Sequence, residues 1–400
     1  MNQTDIIETA LRVWGRELYK TTSLSHVAQA LGVTKPALYR HFASKKALLD
    51  GMFGYYCDHY MNCMKESYNK ALESRDPTQG ILRVVRNIAG YYVRHKYIFV
   101  FFLFEVFGNR SREEDIPNQF ALRGMDVGKR WFSLNTPGDY PDPFRLILPG
   151  VFFLITLFHT SRAGDSADPA EGEIRRFLSA AEEIISHGLG LDRRLVDALD
   201  FGALEKTGNY RLPPEGENGG LLKAVAGAVA QAGPWNASMD MVAKRSGLSK
   251  SGLYAHFKSK ADMLGRMFMT EFDRIVQHAE LGKGLSEKPE EQFYLTILAI
   301  ANYLRSRPEI LITLDWMRTR RLDLGLSAPP GVYRLFTGIE LKAAGLAGLD
   351  PTGETLAHWT LFLIVNTLMR RPEGMSFSDV PDASFRILYK FIALGIKGWD

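Results

Sequence analysis

The chain is written twice, and no other feature restricts its fold so tightly. Residues 27–49, VAQALGVTKPALYRHFASKKALL, align without a gap to residues 242–264, VAKRSGLSKSGLYAHFKSKADML. Eleven of the 23 pairs are identical, among them Gly32/Gly247, Lys35/Lys250, Leu38/Leu253, Tyr39/Tyr254, His41/His256, Phe42/Phe257 and Lys45/Lys260. Unrelated segments would share roughly one or two, so the match signals an internal repeat. Weaker echoes extend it. IAGYYVRHKYIF (88–99) parallels IANYLRSRPEIL (300–311) at an offset of 212, and FLSAAEEIISHGL (177–189) parallels ILYKFIALGIKGW (387–399) at 210, against 215 for the strongest match. Drift this small over a whole half describes a duplicated unit of about 200 residues, not an array of short repeats.

Both copies have a helical pattern. Leu48, Leu49, Met52, Phe53 and Tyr56 recur at spacings of three and four, as do Ile81, Leu82, Val85, Ile88, Ala89 and Tyr92. Alternating Val/Ile/Thr runs bounded by hairpin signals are missing, so the whole chain is expected to be all-α. Between the copies, ALEKTGNYRLPPEGENGG (203–220) carries Pro213–Pro214 and several glycines, which predicts a loop or linker. At 46% hydrophobic and 24% charged residues, each half has enough apolar material for its own core, with no need of a metal or disulfide. The two cysteines, Cys57 and Cys63, fit neither a zinc pattern nor a disulfide framework. The amino terminus has no signal-peptide pattern, so cytoplasmic residence is expected. The apolar stretches Tyr97–Phe107 and Leu146–Phe158 fall short of the ~20 residues a spanning helix needs, and buried helices are expected there.

Net charge is only +4, but it is unevenly spread. Residues 1–50 hold seven Lys/Arg and four Asp/Glu, and residues 219–270 hold seven and two. Those windows are thus +3 and +5, and the rest of the chain is −4. Two separated basic windows suggest a polyanion as partner. Each contains the repeated motif. In the first, Leu24, Val27, Ala28 and Leu31 mark one face of a short helix, and Gly32 suits a left-handed turn. Thr34 is a plausible N-cap for the next helix, with Pro36 in its first turn. Leu38 and Phe42 anchor that second helix, leaving Lys35, Pro36, Tyr39 and Arg40 mainly off the buried stripe. This is the plan of a helix-turn-helix, repeated at 238–264 with Gly247 in the turn and Ser249 as N-cap.

LGVTKPALYRHFASKKALLDGM (31–52) and GLSKSGLYAHFKSKADML (247–264) resemble the DNA-binding segment of the TetR/AcrR family of transcriptional regulators. The resemblance implies two tandem units. Each would have a three-helix DNA-binding domain and a body of about six helices for ligand binding and dimerisation. Domains are accordingly expected at 1–50 and 51–200, a linker at 201–219, and the second pair at 220–267 and 268–400. The recognition helices would be Thr34–Phe42 and Ser249–Phe257. Lys35, Pro36, Ala37 and Arg40 would face bases in the first copy, and Lys250, Ser251, Gly252 and Ala255 in the second. Tyr39, His41 and Lys45, with Tyr254, His256 and Lys260, would contact phosphates. The chemistry agrees: lysine offers a point charge, tyrosine and histidine offer neutral donors, and Arg40 can grip a guanine with two hydrogen bonds where Ala255 cannot. Each has a plainer structural role open to it, as a packed tyrosine, a surface histidine or a solvated lysine at a helix start.

The resemblance also implies a partner in double-stranded operator DNA, repression, and release by a small hydrophobic or aromatic effector. The aromatic-rich bodies suit such a ligand, with Phe99, Phe101, Phe102, Phe104, Phe107, Trp131, Phe132, Phe152, Phe153 and Phe158 in one, and Trp316, Tyr333, Phe336, Trp359 and Phe362 in the other. For most of these side chains, core packing is the simpler expectation. Helices near 143–162 with 171–190, and 354–371 with 383–399, correspond to the family's dimerisation helices. One chain holds both sets, so an intrachain pseudo-dimer is expected, with a homodimer of chains as the competing arrangement. Two other readings stay open. The second head can be silent, its recognition helix weakened by Gly252 and the second half acting as a built-in dimerisation partner, or the chain can be a helical small-molecule-binding protein with no role for DNA. No cofactor, metal site or catalytic set is predicted.

Overall fold

The structure, a computed structural model, describes residues 2–16, 23–107, 109–125, 144–162, 168–208, 219–324, 332–340 and 353–399. Among these residues the chain is helical and contains no strand. Its contacts divide it into two compact units: residues 1–138, 154–182 and 319–325 in the first, and 139–153, 183–318 and 326–400 in the second. The units are not the two sequence copies, because residues 139–153 and 183–200 of the first copy belong to the second unit.

In the first unit, α1 (Gln3–Arg16) buries Ile6, Ala10, Leu11 and Trp14. It packs with α2 (Leu24–Ala30) and with α4 (Lys45–Leu72), a helix of 28 residues, while α2 packs with α3 (Lys35–Tyr39). Gly51 in α4 lies against the Phe42 ring, where a Cβ would stand 2.9 Å from the ring edge. The body continues through α5 (Pro77–Arg94), α6 (Lys96–Phe101), a π-helical turn (Phe102–Phe107) and α7 (Arg110–Ala121). Parts of α8 (Phe144–Ser161) and α9 (Glu171–His187) complete it. Phenols and imidazoles satisfy one another in this core. The hydroxyls of Tyr56 and Tyr92 lie 2.9 Å apart, and those of Tyr60 and Tyr68 3.2 Å. His59 Nδ1 meets the Tyr91 hydroxyl at 2.8 Å. His159 Nε2 donates to the Tyr92 carbonyl at 3.1 Å, and burial drives its imidazole down to about 4 against that hydrogen bond.

The second unit opens with the short helix α10 (Arg193–Asp197) and with α11 (Phe201–Gly208), which corrects the linker expectation for 201–208; residues 209–218 lie outside the described set. Tertiary bonds outweigh the weak local pattern. Asp200 caps the Ala203 N–H at 2.9 Å, Leu204 is buried, and Glu205 takes both the Arg386 guanidinium and the Tyr294 hydroxyl. Burial pushes the Glu205 carboxyl up, but the Arg386 and Tyr294 hydrogen bonds outweigh it and hold it below the usual range. Then come α12 (Gly219–Asn236), α13 (Met239–Ser246), α14 (Lys250–His256), α15 (Lys260–Lys283), α16 (Pro289–Arg305), α17 (Pro308–Leu324), of which residues from 319 on count with the first unit, α18 (Glu354–Met369) and α19 (Ala383–Leu394). Gly233 breaks α12 with φ 75°, against the Trp316 ring. The core here includes one buried carboxylate. Glu271, only 3% exposed, binds Arg274 at 2.6 Å and accepts from the Tyr303 hydroxyl, and Arg305 binds Asp382 at 2.6 Å.

Residues from both sequence copies meet inside this second unit. Leu189 N–H donates to the Ile392 carbonyl at 2.7 Å and Leu191 N–H to the Ala393 carbonyl at 3.1 Å. A Cβ on Gly188 would lie 2.3 Å from the Ile392 oxygen, and one on Gly395 would lie 2.4 Å from the Ser186 carbonyl. Both glycines have positive φ, so close approach and backbone conformation exclude side chains there together. The contact is reciprocal between positions 207 residues apart, so it pairs Gly188 with Gly395, whereas the sequence alignment sets Gly188 against Gly398. Asn366 Nδ2 donates to the Arg145 carbonyl at 3.3 Å, and the Phe153 and Phe362 rings lie 5.4 Å apart.

Most of the aromatics named above for a ligand are core. Phe99, Phe101, Phe102, Phe107, Phe152, Phe153, Phe158, Phe336 and Trp359 are buried, and Trp131 and Phe132 lie outside the described residues. A hollow of about 20 Å³ is lined by Leu11, Trp14, Val100, Phe101, Phe104 and Glu105, which is room for a single water. No helix among the described residues is long and apolar enough to cross a membrane.

Candidate nucleic-acid interface

Each head is built by four local devices that occur in both copies. Ser23 and Ser238 cap α2 and α13, accepting from the His26 and Met241 N–H at 3.3 and 3.2 Å. Gly32 (φ 67°) and Gly247 (φ 71°) make the turn, and neither would meet a neighbour within 4 Å if it carried a Cβ. Their requirement is therefore purely one of backbone conformation. Thr34 and Ser249 cap α3 and α14, accepting from Ala37 N–H at 3.4 Å and Gly252 N–H at 3.0 Å. Ser44 and Ser259 do the same for α4 and α15 at 3.0 and 3.1 Å. Caps this regular start each helix at a set residue, so the side chains that follow face a set direction.

Leu38 and Leu253 are wholly buried, and Phe42 and Phe257 nearly so. With these as the inner face, Lys35, Pro36, Tyr39 and Arg40 are exposed in the first head, and Lys250, Ser251, Tyr254, Ala255 and His256 in the second. Ala37, His41 and Lys45, with Gly252 and Lys260, are half-buried. The tyrosines decide most. Tyr39 is 43% exposed and Tyr254 50%, so neither packs between helices. A large aromatic held open to solvent at the same position of both copies is poor packing and good contact chemistry. Lys35 Nζ stands 5.9 Å from the Tyr39 ring centroid. Lys45 reaches the Trp14 ring at 5.9 Å, and burial lowers the ammonium of Lys45 and of Lys260 below the usual lysine value. Their stems are packed and their heads sit at the helix starts.

The two heads differ in charge. Lys250 Nζ lies 3.0 Å from Asp240 Oδ1 and 3.1 Å from Oδ2, and that hydrogen bond raises the ammonium above its ordinary value. The matching position in the first copy is the exposed Ser25, and among the described residues no carboxylate pairs with Lys35. Asp262, in the second head, accepts from Lys258 N–H at 2.8 Å and pairs with Arg266 at 2.9 Å, where the first copy has Ala47. Sequence reasoning overlooked Asp240, although extending the ungapped alignment by two residues sets it beside Ser25.

Comparison with known proteins agrees with this geometry. Residues 6–52 and again 221–267 match the tetR family of bacterial regulatory proteins. An uncharacterized HTH-type transcriptional regulator, YuxN, from Bacillus subtilis (strain 168) is 43% identical over 53 residues, 13% of this chain and 18% of the relative. A second from the same organism, YerO, is 38% identical over 60 residues, 15% of this chain and 21% of the relative. The chain thus spans about a fifth of the length of the curated relatives it matches. The crystal structure of the TetR family transcriptional regulator PfmR from Thermus thermophilus aligns with 45% of this chain and 95% of its own at 20% identity, with a TM-score of 0.31. With the model matched at two positions that are built in the same way, the chain carries two DNA-binding domains of the tetR family type in tandem.

Proposed function

We propose that this chain is a DNA-binding transcriptional regulator, a repressor, that sets two unlike heads on one operator duplex. One observation carries the reading: a capped short helix presents an exposed lysine and an exposed tyrosine at matched positions in both copies. The residues nominated for bases are Lys35, Pro36, Ala37, Arg40, Lys250, Ser251 and Gly252, and those for phosphates Tyr39, His41, Lys45, Tyr254, His256 and Lys260. A helix of this kind fits the major groove, and Lys45 and Lys260, which start the helices that follow, meet the flanking phosphates. Titration with duplex fragments at low salt tests this. Binding that weakens steeply with salt, and is lost when Lys35 and Lys250 are both changed to Glu, supports it. Equal retention of the double variant refutes it.

The active species in this reading is an intrachain pseudo-dimer. Support comes from the Gly188/Gly395 approach and the Leu189 and Leu191 hydrogen bonds, which join the ends of the two sequence copies through bare backbone. Light scattering of the free protein is expected to give one chain of 45.0 kDa, and a mass of two chains overturns this part. Release by a small apolar effector rests on the apolar make-up of the bodies. A thermal-shift screen of lipophilic compounds is expected to find stabilisers that also loosen DNA; no shift with intact DNA binding rejects ligand control. The reading in which only the first head reads DNA is favoured by the Asp240–Lys250 pair and by Ala255.

A further inference from the structure

Both heads offer a lysine at the start of the recognition helix, but in different states. Lys35 leans toward the Tyr39 ring. Lys250 is held by both oxygens of Asp240, an exposed carboxylate in the first turn of α13. Two features single out Asp240. It has no counterpart in the first head, where Ser25 stands. It is also free of the structural duties of Asp262, which sits in the first turn of α15 and binds Arg266. A carboxylate on an ammonium is a chemical likeness of a phosphate on an ammonium. A lysine so occupied exchanges one anion for another on meeting DNA, and releases fewer counterions than a lysine facing solvent.

Resting on the DNA-binding reading above, we propose that Asp240 is the residue that separates the two heads in affinity. It acts as a built-in anion that neutralises Lys250 before the duplex does, and makes the second half-site the weaker and the less salt-dependent of the two. The chain would then dock first through the head containing Lys35 and Arg40. The second head would engage only where its half-site compensates for displacing Asp240. This gives an operator occupied firmly at one half and conditionally at the other, which unlike base-facing residues alone do not require.

The test uses the full chain and a duplex selected by it from random DNA, read by fluorescence anisotropy across a salt series. Asp240→Ser and Asp240→Asn are expected to bind about three- to tenfold more tightly, the range of one exposed ion pair plus one removed negative charge. The slope of log affinity against log salt should steepen by about one. The reciprocal Ser25→Asp should weaken binding by a similar factor. In a Lys250→Ala background the gain from Asp240→Ser should shrink to under about twofold, the part due to one removed negative charge alone, which a merely structural role for Asp240 does not predict. Circular dichroism checks that each variant is folded, and Asp240→Asn keeps the side-chain shape. Tight binding by the unaltered protein with no change, or a loss, in both Asp240 variants overturns the inference and leaves the DNA reading standing. No duplex binding by either the unaltered chain or Asp240→Ser overturns both.

Discussion

The two halves of this molecule share a plan and satisfy their polar groups by different chemistry. In the first unit, buried phenols and imidazoles pair as neutral groups: Tyr56 with Tyr92, Tyr60 with Tyr68, His59 with Tyr91, His159 with a backbone carbonyl. In the second, the deepest polar group is a carboxylate, Glu271, which takes Arg274 and the Tyr303 hydroxyl; partly exposed ion pairs occur in both units, Glu205 with Arg386 and Arg305 with Asp382 here, Arg112 with Glu105 and Arg162 with Glu173 in the first. The heads repeat the contrast at the surface, where Lys35 meets an aromatic ring and Lys250 a carboxylate. A helical frame defined by caps, turns and a few apolar anchors tolerates either solution. Duplication thus kept the scaffold while the chemistry on it diverged.

The sharpest way to break that contrast is to remove one ion. Arg274→Met leaves the Glu271 carboxylate buried without its guanidinium, and thermal melting should report a loss of about 3–5 kcal/mol from the second unit. A fall under about 1 kcal/mol would mean the pair is not a structural element. Acid should act next most strongly, and mainly on the first unit. The His159 imidazole lies near 4 when folded, against an ordinary value of about 6.5. Between these values the unfolded chain binds the proton and the folded chain does not. Stability is therefore complete above pH 6.5 and declines as pH falls toward 4, by roughly 3 kcal/mol over the window. His159→Gln, which keeps a donor for the Tyr92 carbonyl, should flatten that decline. Melting curves from about pH 7 to 4.5 check it.

The heads come third. Arg40→Ala should cost about 1–3 kcal/mol on the selected site and relax the preference at one base pair of one half-site, as competition between duplexes would show. Lys35→Ala should weaken binding more than Lys250→Ala, because only the second lysine starts from a carboxylate partner. Equal losses would remove the claimed asymmetry. The smallest effect is a neutral one. Tyr56→Phe deletes one member of a hydroxyl pair in the first unit, and should lower stability by about 1 kcal/mol.

Much of this was legible in the sequence because it is local. The caps at Thr34 and Ser249, the turn glycines and the anchors Leu38, Phe42, Leu253 and Phe257 all obey short-range rules and stand where those rules set them. What was missed is long-range. Helix α11 looked like linker because Glu205 finds Arg386 at a distance of 181 residues, which no local pattern announces. The Gly188/Gly395 approach escaped for the same reason, and the alignment there slipped by three residues because helix ends tolerate such shifts. Asp240 was visible in the alignment, but its bond to Lys250 became apparent only with both side chains placed.

Footprinting of the complex formed by one chain on a selected duplex, its stoichiometry measured by light scattering, probes most directly whether a single polypeptide reads DNA twice. Two protected patches of unlike sequence are expected, separated by about one helical turn or more, under a single 45.0 kDa chain. One patch at saturation, two chains per duplex, or no protection at low salt would contradict that expectation.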